Sequence, residues 1–126
     1  MKAKLLTCIA VFSCGLLLAA VPLSAHHSSR AVYETMSITL MGTVTNYEWS
    51  NPHIIVSFQV KDVQGKPQQW HAEVLPPSRA SAAGWTRDSL KPGDQVTLTG
   101  YPGRNSQHIM LLEELVTADG KTLSRR

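Results

Sequence analysis

Residues 53–62 constrain the fold more than any other stretch of this chain, because they alternate as a half-buried strand must. Ile54, Val56, Phe58 and Val60 fall on one face, and Ile55, Ser57, Gln59 and Lys61 on the other. The run starts after the turn signal Ser50-Asn51-Pro52 and ends in a loop, Asp62 to Pro67, that contains Gly65. A second strand, Gln68 to Leu75, then returns with Trp70, Ala72 and Val74 inward and Gln69, His71 and Glu73 outward. Upstream, Ser37 to Trp49 is rich in Ile, Thr, Val, Tyr and Trp. Gly42 interrupts this run, where a glycine marks a bulge or bend.

After Pro76-Pro77 the pattern changes. Ser78 is the expected N-cap of a short helix through Ala80, Ser81, Ala82 and Ala83, with Gly84 as its stop. Lys91-Pro92-Gly93-Asp94 is a turn. Gln95 to Tyr101, with Val96 and Leu98 inward, and His108 to Val116 are the last two strands, joined through a loop at Pro102 to Ser106. Three strands, a short helix and two strands, with the first strand long and bent, predict an all-β domain. Its expected form is a small five-stranded OB-fold-like barrel with the helix between strands 3 and 4. An open β-sandwich is the runner-up, and the helix argues against it. The barrel is expected over residues 37–118, with an N-terminal arm at 26–36 and a polar tail at 119–126.

The first 25 residues read as a cleavable signal peptide. Met1, Lys2 and Lys4 supply a positive start, and an apolar run from Leu5 to Val21 follows, with Pro22 and Leu23-Ser24-Ala25 leading to a cut before His26. At about 17 residues the run sits at the bottom of the spanning range, so no stable membrane anchor is expected after cleavage. Periplasmic or secreted localisation follows. Cleavage takes Cys8 and Cys14, which removes disulfides, thiolate metal sites and cysteine nucleophiles. It also takes two lysines and no acid, lowering the formal charge from +3 to +1. So small a charge is a poor footprint for nucleic acid, and none is expected as a partner.

All five histidines (His26, His27, His53, His71 and His108) stay in the mature part. A cut after Ala25 makes His26 the first residue. Its α-amine and imidazole can then chelate one ion, and His27 adds a mode through the amine, the intervening amide nitrogen and its own ring. Such nitrogen sets suit copper first and zinc second. His53 closes the loop between strands one and two, and His108 opens strand five. In OB-folds these loops flank the binding face. An arm of 11 residues spans up to about 35 Å, so His26, His27, His53 and His108 form one candidate metal site. A hairpin centred near Gly65 puts His71 opposite Gln59 and roughly 20 Å from His53, so those two are not expected to share an ion. The bland reading of His53 is a loop residue bonding the backbone after Asn51-Pro52.

Tyr47, Trp49 and Tyr101 lie near the same loops as candidate stacking platforms, while Trp70 and Trp85 read as core. Arg30, Arg79, Arg87 and Arg104 read as scattered surface. Glu113-Glu114 face opposite ways on a strand and make no catalytic pair. No nucleophile elbow or phosphate-binding glycine motif is present, so no enzyme is expected, with an oxidative copper enzyme at His26 the one form considered. The chain resembles a family of small exported bacterial proteins of uncharacterised function. The resemblance rests on Ala25-His26-His27-Ser28, on Gly42-Thr43-Val44 followed by Trp49-Ser50-Asn51-Pro52-His53, and on Gly84-Trp85-Thr86-Arg87-Asp88-Ser89-Leu90-Lys91-Pro92-Gly93-Asp94. It implies an exported small β-barrel and brings no established activity. The expected function is an exported binding module that holds a transition metal. The alternative is a metal-free OB-type interaction domain for a partner protein or small ligand.

Overall fold

The structure is a computed structural model that describes residues 32–126; the expected signal peptide, His26 and His27 lie outside the described residues. Among the described residues the strands are β1 (Ile38–Glu48), β2 (Ile55–Lys61), β3 (Pro67–Glu73), β4 (Gln95–Pro102), β5 (Ile109–Thr117) and β6 (Thr122–Ser124), with a short helix, α1 (Pro77–Ala82), between β3 and β4. The sheet order is β3-β2-β1-β4-β5-β6. A parallel pairing of β3 with β5, His71 opposite Ile109 and Glu73 opposite Leu111, closes the first five strands into a barrel. This is the expected OB-type architecture.

β1 makes closure feasible by serving two neighbours. Its first half pairs with β4, from Ile38↔Gly100 to Thr43↔Gln95, and its second half pairs with β2 from Thr43↔Gln59 onward. The handover occurs beside Gly42. A Cβ there would lie 2.6 Å from the Gln59 carbonyl oxygen and 2.8 Å from a Phe58 ring carbon, so only glycine lets the strand pass this close. Val44, Ile54, Val56, Phe58, Ala72, Val74, Val96, Leu98, Met110, Leu112 and Leu115 fill the interior. Ala80 of α1, Trp85 and Leu90 join the same core. Trp85 is buried and donates its indole N–H to the Ser124 carbonyl.

Three local expectations need correction. Ser78 is not the N-cap of α1. Pro76 is, with Pro77 in the first turn, where a missing N–H and a preset φ cost nothing. Residues 119–126 are not a polar tail: a turn leads into β6, which pairs Leu123 with Leu115 and buries Leu123 to 2% exposure. The β2–β3 hairpin pivots at Gln64 rather than Gly65, because Lys61 pairs with Pro67 and the Asp62 carboxylate accepts the N–H groups of Gln64 and Lys66. Every pairing therefore moves by two residues. His71 faces Ser57, Gln69 faces Gln59, and Glu73 faces Ile55.

Candidate functional site

A shift of two residues leaves each side chain on its predicted face but changes its neighbours. Glu73 now stands at the end of the hairpin where the β1–β2 loop arrives, held there by mutual backbone bonds between Ile54 and Val74–Leu75. His53 places Nδ1 3.1 Å from Glu73 Oε1. On the other oxygen, Tyr33 donates its hydroxyl to Glu73 Oε2 at 2.9 Å. Burial and the neighbouring Glu73 carboxylate push the Tyr33 hydroxyl far above its ordinary range, so it stays a donor. A carboxylate facing Nδ1 favours the imidazole tautomer protonated there and leaves the lone pair on Nε2. A metal-ligating histidine takes this form.

Tyr33 is fixed by more than its hydroxyl. It bridges to Gly103, its carbonyl accepts from Arg104 Nε at 3.1 Å, and the next N–H, of Glu34, donates to the Pro102 carbonyl at 2.8 Å. Tyr33 and Glu34 therefore lie over the β4–β5 loop, and the Tyr33 hydroxyl meets the barrel at the carboxylate that faces His53.

His108 lies elsewhere. Its carbonyl accepts from the His71 N–H, and its ring stacks on Trp70 with centroids 5.0 Å apart at 29°. Trp70, expected in the core, is half-buried at the barrel margin against Phe58. Trp70 and Glu73 are an odd number of residues apart on β3, so they point to opposite faces. The structure thus puts His53 with Glu73 on one face and His108 with Trp70 on the other; it does not bring the two expected ligands together. His71 is exposed and sits 2.9 Å through Nδ1 from the hydroxyl of Ser57. Ser57 is four positions after His53, about 13 Å at strand rise, rather than the expected 20 Å. Among the described residues, no group of three or more His, Cys, Asp or Glu side chains is placed to hold a metal ion.

The β1–β2 loop has a second neighbour that sequence reasoning missed. Arg87, read as scattered surface, lies 5.8 Å from the centre of the Trp49 ring. Tyr47 meets Trp49 edge-on at 6.3 Å and donates its hydroxyl to the Thr86 carbonyl at 2.9 Å. Burial pushes the Tyr47 hydroxyl up to about 12. Tyr47 and Trp49, at the end of β1, and Thr86 and Arg87, separate in sequence, thus meet on one surface. Their aromatic and cationic composition was the available signal. Tyr101 is not part of it; it lies toward Glu113, whose carboxylate raises its hydroxyl.

Among solved structures, the chain is similar to the mitochondrial single-stranded DNA binding protein Rim1 of S. cerevisiae. The match has a TM-score of 0.51 at 7% identity and covers 68% of this chain and 95% of that one. At that identity the likeness is one of fold, and it agrees with the OB-type barrel. No curated protein matches the sequence. Residues 14–111 match the profile of a family described as a family of unknown function, DUF6152, and the chain belongs to that family.

Proposed function

We propose that this chain is an exported small binding module that holds a transition metal, copper before zinc, between its N-terminal histidines and His53. One observation carries the reading: Tyr33, near the start of the described residues, and the candidate ligand His53 share the Glu73 carboxylate. The arm upstream of Tyr33 therefore starts one tyrosine side chain away from the carboxylate that faces His53. His27 is six residues before Tyr33, a reach of about 20 Å, so His26 and His27 can come back to Nε2 of His53. The α-amine of His26, the imidazoles of His26 and His27, and Nε2 of His53 form a nitrogen set of the kind that favours Cu(II). His108 is left out of the set because it faces the other way. Nucleic acid is left out too, since cleavage at Ala25 brings the charge to +1.

The test is a Cu(II) titration of the mature protein against a competing chelator, with its first residue verified by mass. Binding about tenfold or more tighter than a free His-His-Ser-Ser peptide is expected, a gain of about 1.4 kcal/mol. His53→Ala should return the affinity to the peptide's level, and one added residue before His26 should abolish the advantage. His71→Ala and His108→Asn should leave it unchanged. Peptide-like affinity in the native protein would overturn the proposal.

A further inference from the structure

On the opposite side of β3 from His53, an open cleft of about 400 Å³ is lined by Glu34, Trp70, Pro102, Gly103, Asn105 and His108. That volume lies in the lower part of the range for small-molecule sites. The cleft does not depend on the metal reading, since neither His53 nor Glu73 lines it. Its floor is the stacked Trp70–His108 pair, backed by Phe58. One wall is Glu34, whose backbone N–H bond to the Pro102 carbonyl fixes that residue beside the β4–β5 loop.

The loop holds two of its polar residues at positive φ. Asn105 has φ 64° and His108 has φ 45°, the left-handed region that non-glycine residues seldom occupy. Asparagine takes this region readily, so the strain is at His108; such strain persists where surrounding structure over-determines it and clusters at ligand sites. Here both residues line the cleft.

The lining selects a ligand class. A carboxylate, an amide and an imidazole supply acceptors and donors together, above an aromatic surface. A phosphate or other anion would meet Glu34, and a purely apolar ligand would bury Glu34 and Asn105 without partners. A neutral ring that is apolar across its face and hydroxylated around its rim satisfies every wall at once. We propose that the cleft binds a neutral saccharide, its ring laid on the His108–Trp70 stack and its hydroxyls shared by Glu34 and Asn105. Loops at this end of an OB-type barrel suit such a role.

The experiment is an NMR titration of the mature protein with maltotriose and, separately, with the N-acetylglucosamine trimer. Saturable shifts at the Trp70 indole and at the amides of Glu34 and His108 are expected with at least one sugar, at a Kd of about 0.1–1 mM. Glu34→Gln and His108→Asn should each weaken binding about tenfold or more. Asparagine tolerates the positive φ at position 108, so the second variant keeps the loop. Both variants should retain the wild-type Cu(II) affinity, which separates this site from the metal site. No saturable shift up to about 20 mM of either sugar, shifts confined to the Trp49–Arg87 surface, or full affinity in both variants would overturn the proposal.

Discussion

At the residue scale, Glu73 connects the arm to the barrel, and its neighbours show how far one sequence can be read. Alternation along Gln68 to Leu75 puts Glu73 and His71 outward, as found. It does not say which residue lies across the hairpin. That depends on Asp62, whose carboxylate takes two loop N–H groups and moves the pivot from Gly65 to Gln64. The consequence is that His53 meets Glu73, and no periodicity in the sequence carries that pairing. Tyr33, in an arm without periodicity, gave no signal at all. Its importance is open to test. Tyr33→Phe deletes the hydroxyl bond to Glu73 and keeps the ring. A net loss of about 1 kcal/mol in urea unfolding is expected. Exchange of the Glu34 amide, which bonds Pro102, should speed up well beyond the average amide. Unchanged exchange there would show that the bridge to Gly103 alone holds the arm.

At the element scale, the strands that alternate or are rich in β-branched residues were legible, and the elements fixed by their surroundings were not. β6 is the clearest case. Lys121 to Arg126 reads as polar because only Leu123 in it is a large apolar residue. That leucine completes the core over Leu115, and the strand also supplies the carbonyl that satisfies the buried Trp85 indole. A three-residue strand is too short for periodicity to register, so tertiary packing decides it. Leu123→Ala should therefore cost about 2–3 kcal/mol, the lower part of the range for a buried leucine, and lower the urea midpoint without changing the slope. A true polar tail would tolerate the substitution within about 0.5 kcal/mol. The start of α1 carries a related lesson. A serine in the right place suggested the cap, but Pro76-Pro77 already fixes the entry of the chain.

At the scale of the whole molecule, strand order and helix position fixed the barrel, because few closed arrangements fit three strands, a helix and two strands. The metal set was less legible: alternation and loop position could not show that β3 separates His53 from His108. The barrel is tied together by turns with one shared device. Asp62, Asp94 and Asp119 each accept hydrogen bonds within their own loops: Asp62 from Gln64 and Lys66, Asp94 from Lys91, and Asp119 from the Thr117 hydroxyl. Bonds to the ionised form hold all three carboxyls below the usual aspartate value; the largest comes from Lys66 N–H for Asp62, Lys91 N–H for Asp94 and the Thr117 hydroxyl for Asp119. A depressed folded-state value means that the unfolded chain binds protons first. The stabilisation is therefore complete above the unfolded value, about 3.9, and drains away as pH falls through the lower folded values. Urea midpoints should be level from about pH 7 to 5 and fall steadily below about 4. The triple variant Asp62→Asn, Asp94→Asn, Asp119→Asn should unfold more easily at pH 7 and lose much of that acid dependence, since asparagine keeps an acceptor but no titrating charge. A triple variant whose midpoint falls with acid as steeply as the wild type's would move the cause from these turns to other carboxylates.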